Sequence, residues 1–303
     1  MADLRVTIAG VEFQNPLIAA SGTFGFGHEY QEFYPLSTLG GISCKGITLK
    51  ERLGNPPPRI AETPGGMLNA VGLQNPGVDA FIQKELPWLS QQGTRIIANI
   101  AGNTPAEYCE MAEKLSDTCV DMLELNISCP NVKEGGVHFG TSCAGVEDIT
   151  AQVRRYCKKP LMVKLSPNVA DIGEIAAAAE SAGADALSLI NTLTGMRIDI
   201  KNRRPILHNN TGGLSGPALL PVAIRMVWQA ANRVSIPIVG MGGISTWKDA
   251  VEMLLAGASA VQIGTVLFSN PKAPLHIVKG LNEYMTQNGI SSVTELTGGI
   301  MPW

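Results

Sequence analysis

Along this chain, short apolar runs ending in small or polar residues alternate with longer stretches of helical period. The runs cover residues 17–22, 42–46, 95–101, 122–128, 161–166, 186–192, 237–243 and 260–265. Their continuous apolarity, in place of alternation, predicts parallel strands covered on both faces. Between them the spacing predicts helices, among them 170–182 and 246–256, the latter with Ser245 or Thr246 placed to cap its N-terminus. Strand followed by helix, eight times over, predicts an α/β fold of the (β/α)8 TIM-barrel type. An internal echo agrees. Ala182-Gly183-Ala184-Asp185-Ala186 and Ala256-Gly257-Ala258-Ser259-Ala260 each lead into a strand, with a glycine suited to a left-handed helix end.

Several segments break this rhythm. Residues 4–13 predict an N-terminal hairpin turning at Gly10 that closes the bottom of the barrel. Insertions 48–73 and 195–216 follow the second and sixth strands, and a glycine-rich stretch, 129–145, follows the fourth. All three leave C-terminal strand ends, so they gather on the face where barrels of this type carry their chemistry. The run Ser21-Gly22-Thr23-Phe24-Gly25-Phe26-Gly27 after the first strand lets backbone approach a flat ligand. Nothing between the termini reads as a linker, so 1–303 is expected to be a single domain.

Composition narrows the class. Only 16% of the residues are charged and 45% are hydrophobic, without low-complexity tracts or like-charge blocks, which excludes a disordered chain. A net charge of -3 and a pI near 5.9 exclude the basic stripe of a nucleic-acid surface. Met1-Ala2-Asp3-Leu4-Arg5 lacks the apolar core of a signal peptide, and no run approaches the ~18 apolar residues of a membrane span. A cytoplasmic protein away from any membrane is expected. The six cysteines include no Cys-x-x-Cys pair and match neither an iron–sulfur nor a zinc pattern. They read as reduced thiols, with Cys44, Cys109, Cys119 and Cys157 as buried fillers. His28, His208 and His276 have no ligand-spaced partners, so no metal site is expected.

The strand ends carry the candidate chemistry. The seventh strand runs into Met241-Gly242-Gly243-Ile244-Ser245 and the eighth into Gly264-Thr265, the two places where barrels commonly bind phosphate. The fourth ends Glu124-Leu125-Asn126-Ile127-Ser128-Cys129-Pro130-Asn131. There Cys129, with a thiol reference pKa of ~8.5, could serve as a base once desolvated beside a cation. Lys45-Gly46, Asn99, Lys164 and Asn191-Thr192 mark other strand ends. A lysine inside a barrel is costly unless paired with an anion. The strand ends show no matching Asp or Glu, so Lys45 and Lys164 imply bound negative charge. His138 and Cys143 are expected on a lid, the histidine facing solvent.

Over essentially its whole length the chain resembles the dihydroorotate dehydrogenase family. The motifs are Asn126-Ile127-Ser128-Cys129-Pro130-Asn131, Asn69-Ala70-Val71-Gly72-Leu73, Ser21-Gly22-Thr23-Phe24-Gly25 and Asn209-Asn210-Thr211-Gly212-Gly213-Leu214-Ser215-Gly216. It looks most like the soluble class, whose base is cysteine. The run Glu134-Gly135-Gly136-Val137-His138-Phe139-Gly140-Thr141 is similar to the NAD-linked, heteromeric branch. The resemblance implies FMN as cofactor, with Cys129 taking the proton from C5 of dihydroorotate while hydride leaves C6. It places the substrate against Lys45, Asn69, Ala70, Val71, Gly72, Leu73, Asn126, Asn131, Asn191 and Thr192. It places the flavin against Ser21, Lys45, Gly46, Asn99, Asn126, Ile190 and Gly216, with Lys164 at its N1–O2 edge and Gly242, Gly243, Gly264 and Thr265 at its phosphate. The sequence shows no dinucleotide-binding fingerprint. NAD would therefore be reached through an electron-transfer subunit carrying FAD and an iron–sulfur cluster, on a homodimer core within a heterotetramer. The alternatives are a fumarate-linked homodimeric member, a dihydropyrimidine dehydrogenase-like flavin barrel, and a catalytically inert scaffold. A tRNA dihydrouridine synthase would carry the basic surface that this chain lacks.

Overall fold

In the computed structural model, residues 2–128, 137–301 and 303 are described, Val137 and His138 in backbone only. The eight apolar runs pair in parallel around a closed barrel. Its strands are β1 (Leu17–Ala19), β2 (Gly41–Ser43), β3 (Arg95–Ile100), β4 (Met122–Asn126), β5 (Leu161–Lys164), β6 (Ala186–Leu189), β7 (Ile238–Met241) and β8 (Ala260–Ile263). The ring closes where β8 meets β1, with Gln262 opposite Ile18. Each ladder stops short of the apolar run that predicts it. Past several ladders, residues such as Ser21, Lys45, Gly46, Asn191, Gly242 and Gly264 line a cavity at the rim, while Ala101, Ile127 and Leu165 stay buried.

Helices α1 (Pro105–Ser116), α2 (Cys143–Arg154), α3 (Ile172–Ser181), α4 (Leu220–Ala231), α5 (Trp247–Leu255) and α6 (Ala273–Gln287) cover the barrel. Their starts follow the side chains that can accept from free amides. Asp171 accepts from the N–H groups of Gly173 and Glu174, so α3 begins later than its apolar period suggests. Thr246, and not Ser245, caps α5 in a reciprocal box with Asp249. The two echoed glycines sit just past α3 and α5 with φ of +98° and +121°, left-handed as expected.

The N-terminal hairpin pairs Val6–Ile8 with Val11–Phe13, and Ile8 and Phe13 are fully buried. It seals the N-terminal end of the barrel. Arg95, at the start of β3, donates to the carbonyl of Glu12 at 2.7 Å. Asn15 Oδ1 accepts from the amides of Leu17 and Gly40, tying the starts of β1 and β2 together.

The two long insertions do not stand apart. Ile60–Thr63 and Gly66–Asn69 from one, and Gly212–Ser215 from the other with Leu193–Gly195, which begins two residues before its expected start, form a single antiparallel four-stranded sheet. Asn69 lies opposite Gly213 in its register. Since β2 and β6 face each other across the barrel, this sheet spans its mouth. Neither segment alone signals the pairing, because the two halves are far apart in sequence. Among the described residues, no helix is long and apolar enough to cross a membrane.

If the hairpin is a structural seal, its large buried ring is the place to test it. Phe13→Ala should lower stability by about 3–5 kcal/mol in urea unfolding while leaving ligand binding at the opposite end intact.

Candidate functional site

A cavity of about 1310 Å³, its open mouth included, occupies the C-terminal ends of the strands beneath the bridging sheet. Ser21, Lys45, Gly46, Asn69, Val71, Gly72, Leu73, Asn126, Lys164, Ile190, Asn191, Thr192, Gly216, Gly242, Gly243, Gly264 and Thr265 all line it. Residues drawn from every part of the chain thus meet in one place. Ala70 does not line the cavity; its side chain is buried in a small cluster with Leu68 and Leu207. Asn99 also stands back from the surface, fully buried below Asn126. Cys129 and Asn131 lie outside the described residues.

The expectation that the strand ends hold no acid to match the rim lysines meets a correction in Glu124, two residues before the end of β4. This residue of β4 is fully buried inside the barrel. Its Oε2 accepts from Ser43 Oγ and from Asn99 Nδ2, both at 2.5 Å. Its Oε1 accepts from Ser188 Oγ at 2.7 Å and from Gln262 Nε2 at 2.9 Å. Burial alone would push the carboxyl up. The nearby Lys164 ammonium, with the hydrogen bonds from Ser43, Asn99 and Ser188, outweighs burial and holds it below the usual carboxylate range. The sequence signal was an acid in the middle of an apolar run.

From Glu124 a line of hydrogen bonds rises to the rim. A carboxylate only accepts, so Asn99 must turn its amino group down and its carbonyl up. That carbonyl faces Asn126 Nδ2 at 3.4 Å. Asn126 Oδ1 accepts from Ser128 Oγ at 3.0 Å, and Ser128 Oγ accepts from Asn191 Nδ2 at 2.8 Å. The hydroxyl of buried Tyr108 pins the end of β4 by donating to the Asn126 carbonyl at 2.9 Å. Ser128 and Tyr108 are positioning residues that the motif reading did not single out.

At the other end of the cavity, Gly242 and Gly243 turn directly against the start of α4. A side chain on Gly243, whose φ is +78°, would meet the Leu220 amide at 2.5 Å. Thr265 Oγ1 donates to Ser215 Oγ at 2.8 Å, joining the loop after β8 to the bridging sheet. Exposed amides at such glycine turns suit an anion.

Two features fit a flat, polar ligand between these ends. A Cβ on Gly46 would stand 3.0 Å from Asn99 Oδ1 and 3.2 Å from Leu73 Cδ2, filling the slot. Gln262, which lines the cavity, keeps a buried Oε1 with no hydrogen-bond partner, an acceptor that a ligand donor would satisfy.

The cysteine and histidine expectations divide. Cys44, Cys109 and Cys157 are buried, and desolvation raises each thiol. Cys119, expected inside, is exposed in the turn between α1 and β4. Cys143, expected on a lid, is the first residue of α2, because Ser142 caps the helix there. His28 Nε2 lies 2.7 Å from Glu85 Oε2, and its ring stacks on Trp88. The His138 side chain lies outside the described residues. Among the described residues, no group of three His, Cys, Asp or Glu is arranged to hold a metal ion.

The family model for dihydroorotate dehydrogenase matches residues 3–285. Three curated relatives share the name dihydroorotate dehydrogenase B (NAD(+)), catalytic subunit. The protein of Alkaliphilus oremlandii is 56% identical over 296 residues, covering 98% of each chain. That of Alkaliphilus metalliredigens is 57% identical over 298 residues, 98% of this chain and 99% of the relative. That of Petrotoga mobilis is 54% identical over 298 residues, with the same coverage.

The buried carboxylate should leave a signature in the acid limb of stability. With its native value held below the ordinary 4.5, ionised Glu124 contributes stability that is fully present above that value. The contribution drains away as the pH falls through the lower native value. Urea midpoints measured against pH should therefore fall less steeply on acidification for Glu124→Gln than for the parent protein. Parallel curves would show that the carboxylate is not linked to folding.

Proposed function

The chain belongs to the dihydroorotate dehydrogenase family, and on that footing we propose that it oxidises dihydroorotate to orotate in pyrimidine biosynthesis as a cytoplasmic, single-domain flavoenzyme. The observation that carries the reading is one cavity holding two rim lysines, several oriented asparagines and a glycine-lined anion end.

The cofactor is FMN. When bound, it supplies the two-electron acceptor for hydride from the substrate, chemistry that no side chain here offers. Gly242, Gly243, Gly264 and Thr265 hold its single phosphate, while Ser21, Gly46, Ile190 and Gly216 line the ring and chain. Lys164 is the cation set against the negative charge of the reduced ring. Asn99 acts from beneath by fixing Asn126.

Lys45 pairs with the substrate carboxylate. Asn69, Asn126, Asn191 and Thr192, with the backbone at 71–73, grip the amide edges of its ring. Asparagine suits this task because it offers donors and an acceptor to a ring that presents both. Asn191 already has its carbonyl turned to the amide of Thr192 and its amino group to Ser128, so its direction is set before any ligand arrives. Asn131 joins the same grip. Cys129 follows Ser128 at the rim and is the base that takes the C5 proton.

A second subunit carrying FAD and an iron–sulfur cluster would pass the electrons on to NAD, on a homodimer of this chain within a heterotetramer. Two things support this. The relatives are named as catalytic subunits of NAD-linked enzymes. A nicotinamide and the substrate would also compete for the same face of one flavin.

Cys129→Ala should keep FMN and bind orotate, yet its flavin should be reduced by dihydroorotate about 10²–10⁴-fold more slowly in stopped flow. Cys129→Ser should be impaired at neutral pH and recover in part at higher pH. An unchanged rate for the alanine variant would remove the thiol from the mechanism.

The purified chain by itself should reduce dyes or oxygen with dihydroorotate but form NADH only negligibly. Rapid NADH formation without a partner would refute the two-subunit route. Efficient turnover with fumarate would assign the chain to the homodimeric branch instead.

A further inference from the structure

We propose that Glu124, which does not line the cavity, is a positioning residue for the flavin reaction, balancing the charge of Lys164 and setting the direction of the Asn99 and Gln262 amides. The inference rests on the reading that Lys164 faces the bound flavin.

A buried charge is weak as a device for stability alone, because apolar residues of similar volume usually serve a core as well or better. Here, nonetheless, β2, β3, β6 and β8 each direct one donor at a single carboxylate on β4. The donors divide between the two oxygens, Ser43 and Asn99 on Oε2 and Ser188 and Gln262 on Oε1. Both amides must present their amino groups to it, so both carbonyls face away. The Asn99 carbonyl goes to Asn126 on the cavity wall, and Gln262 Oε1 is left as an acceptor beside the cavity. A neutral amide at 124 would satisfy one side and leave the other free to turn over.

The charge has its own consequence. Lys164 alone would favour the anionic reduced flavin strongly, which hinders an enzyme that must pass its electrons on. Glu124 tempers that preference from below, through the low-dielectric interior where charges are felt at distance.

A redox titration of the FMN-loaded protein tests this. In Glu124→Gln, reduced flavin should be favoured over oxidised by about tenfold more than in the parent, a rise of ~30 mV for a two-electron couple. Lys164→Ala should shift the potential the opposite way, and Glu124→Asp, which keeps the charge, should stay near the parent. A normal potential in Glu124→Gln beside a lowered one in Lys164→Ala would overturn the role of Glu124 and leave the flavin reading standing. An unmoved potential in Lys164→Ala would defeat the reading of Lys164 and this proposal with it.

If Glu124→Gln yields no folded holoprotein, Ser188→Ala serves in its place, since it removes one donor and leaves the charge. Its carboxylate should protonate more readily, so its flavin potential should climb above the parent's as the pH falls. Coincident curves for the two proteins would overturn the proposal.

Discussion

An ionised carboxylate buried inside eight strands is shielded from bulk solvent, so the barrel's own side chains must serve it. This constraint organises the interior around Glu124. Four strands give up apolar filling to place a serine, an asparagine, a serine and a glutamine within reach of it. The two amides each have a carbonyl left to place: that of Asn99 goes to Asn126, and that of Gln262 stays beside the cavity. The polar order of the site therefore begins below its floor and is carried upward by hydrogen bonds with only one permitted direction.

The rest of the molecule divides the tasks of holding and exposing. At the N-terminal end, the hairpin brings Ile8 and Phe13 into the core, and Asn15 binds two strand starts together. At the other end, side chains at and just past the strand ends, among them Asn126, Lys164, Lys45 and Asn191, line the cavity. The sheet made from two insertions spans this mouth. The backbone of both insertions is satisfied by pairing across it, so long loops stay ordered over an open cleft.

The residues that sequence reasoning misjudged share a cause. Lys164 was weighed against the tips of neighbouring strands, whereas its counter-charge lies deeper in the barrel, on the adjacent strand. Cys119 was grouped with buried thiols on composition, although a turn between helix and strand has no core to enter. Ala70 belongs to a run whose other members line the cavity, but strand alternation turns it to the opposite face of the bridging sheet. In each case the misjudgement concerns where a residue sits relative to the core and the cavity, which spacing along the chain does not fix.

The sequence by itself determined the eight strands, their parallel order, the capped helices, the bottom hairpin and the family. These depend on local period, caps and motifs, which are properties of neighbouring residues. It also named most of the residues that line the cavity, because a barrel gathers every strand end on one face whatever the details. Only the tertiary structure decided that the insertions after β2 and β6 join into one sheet, that Glu124 stands beneath Lys164, and that Asn99 works from below and not at the surface. These depend on closure of the ring, which brings together residues far apart in the chain. No pattern along the chain records which of them will meet.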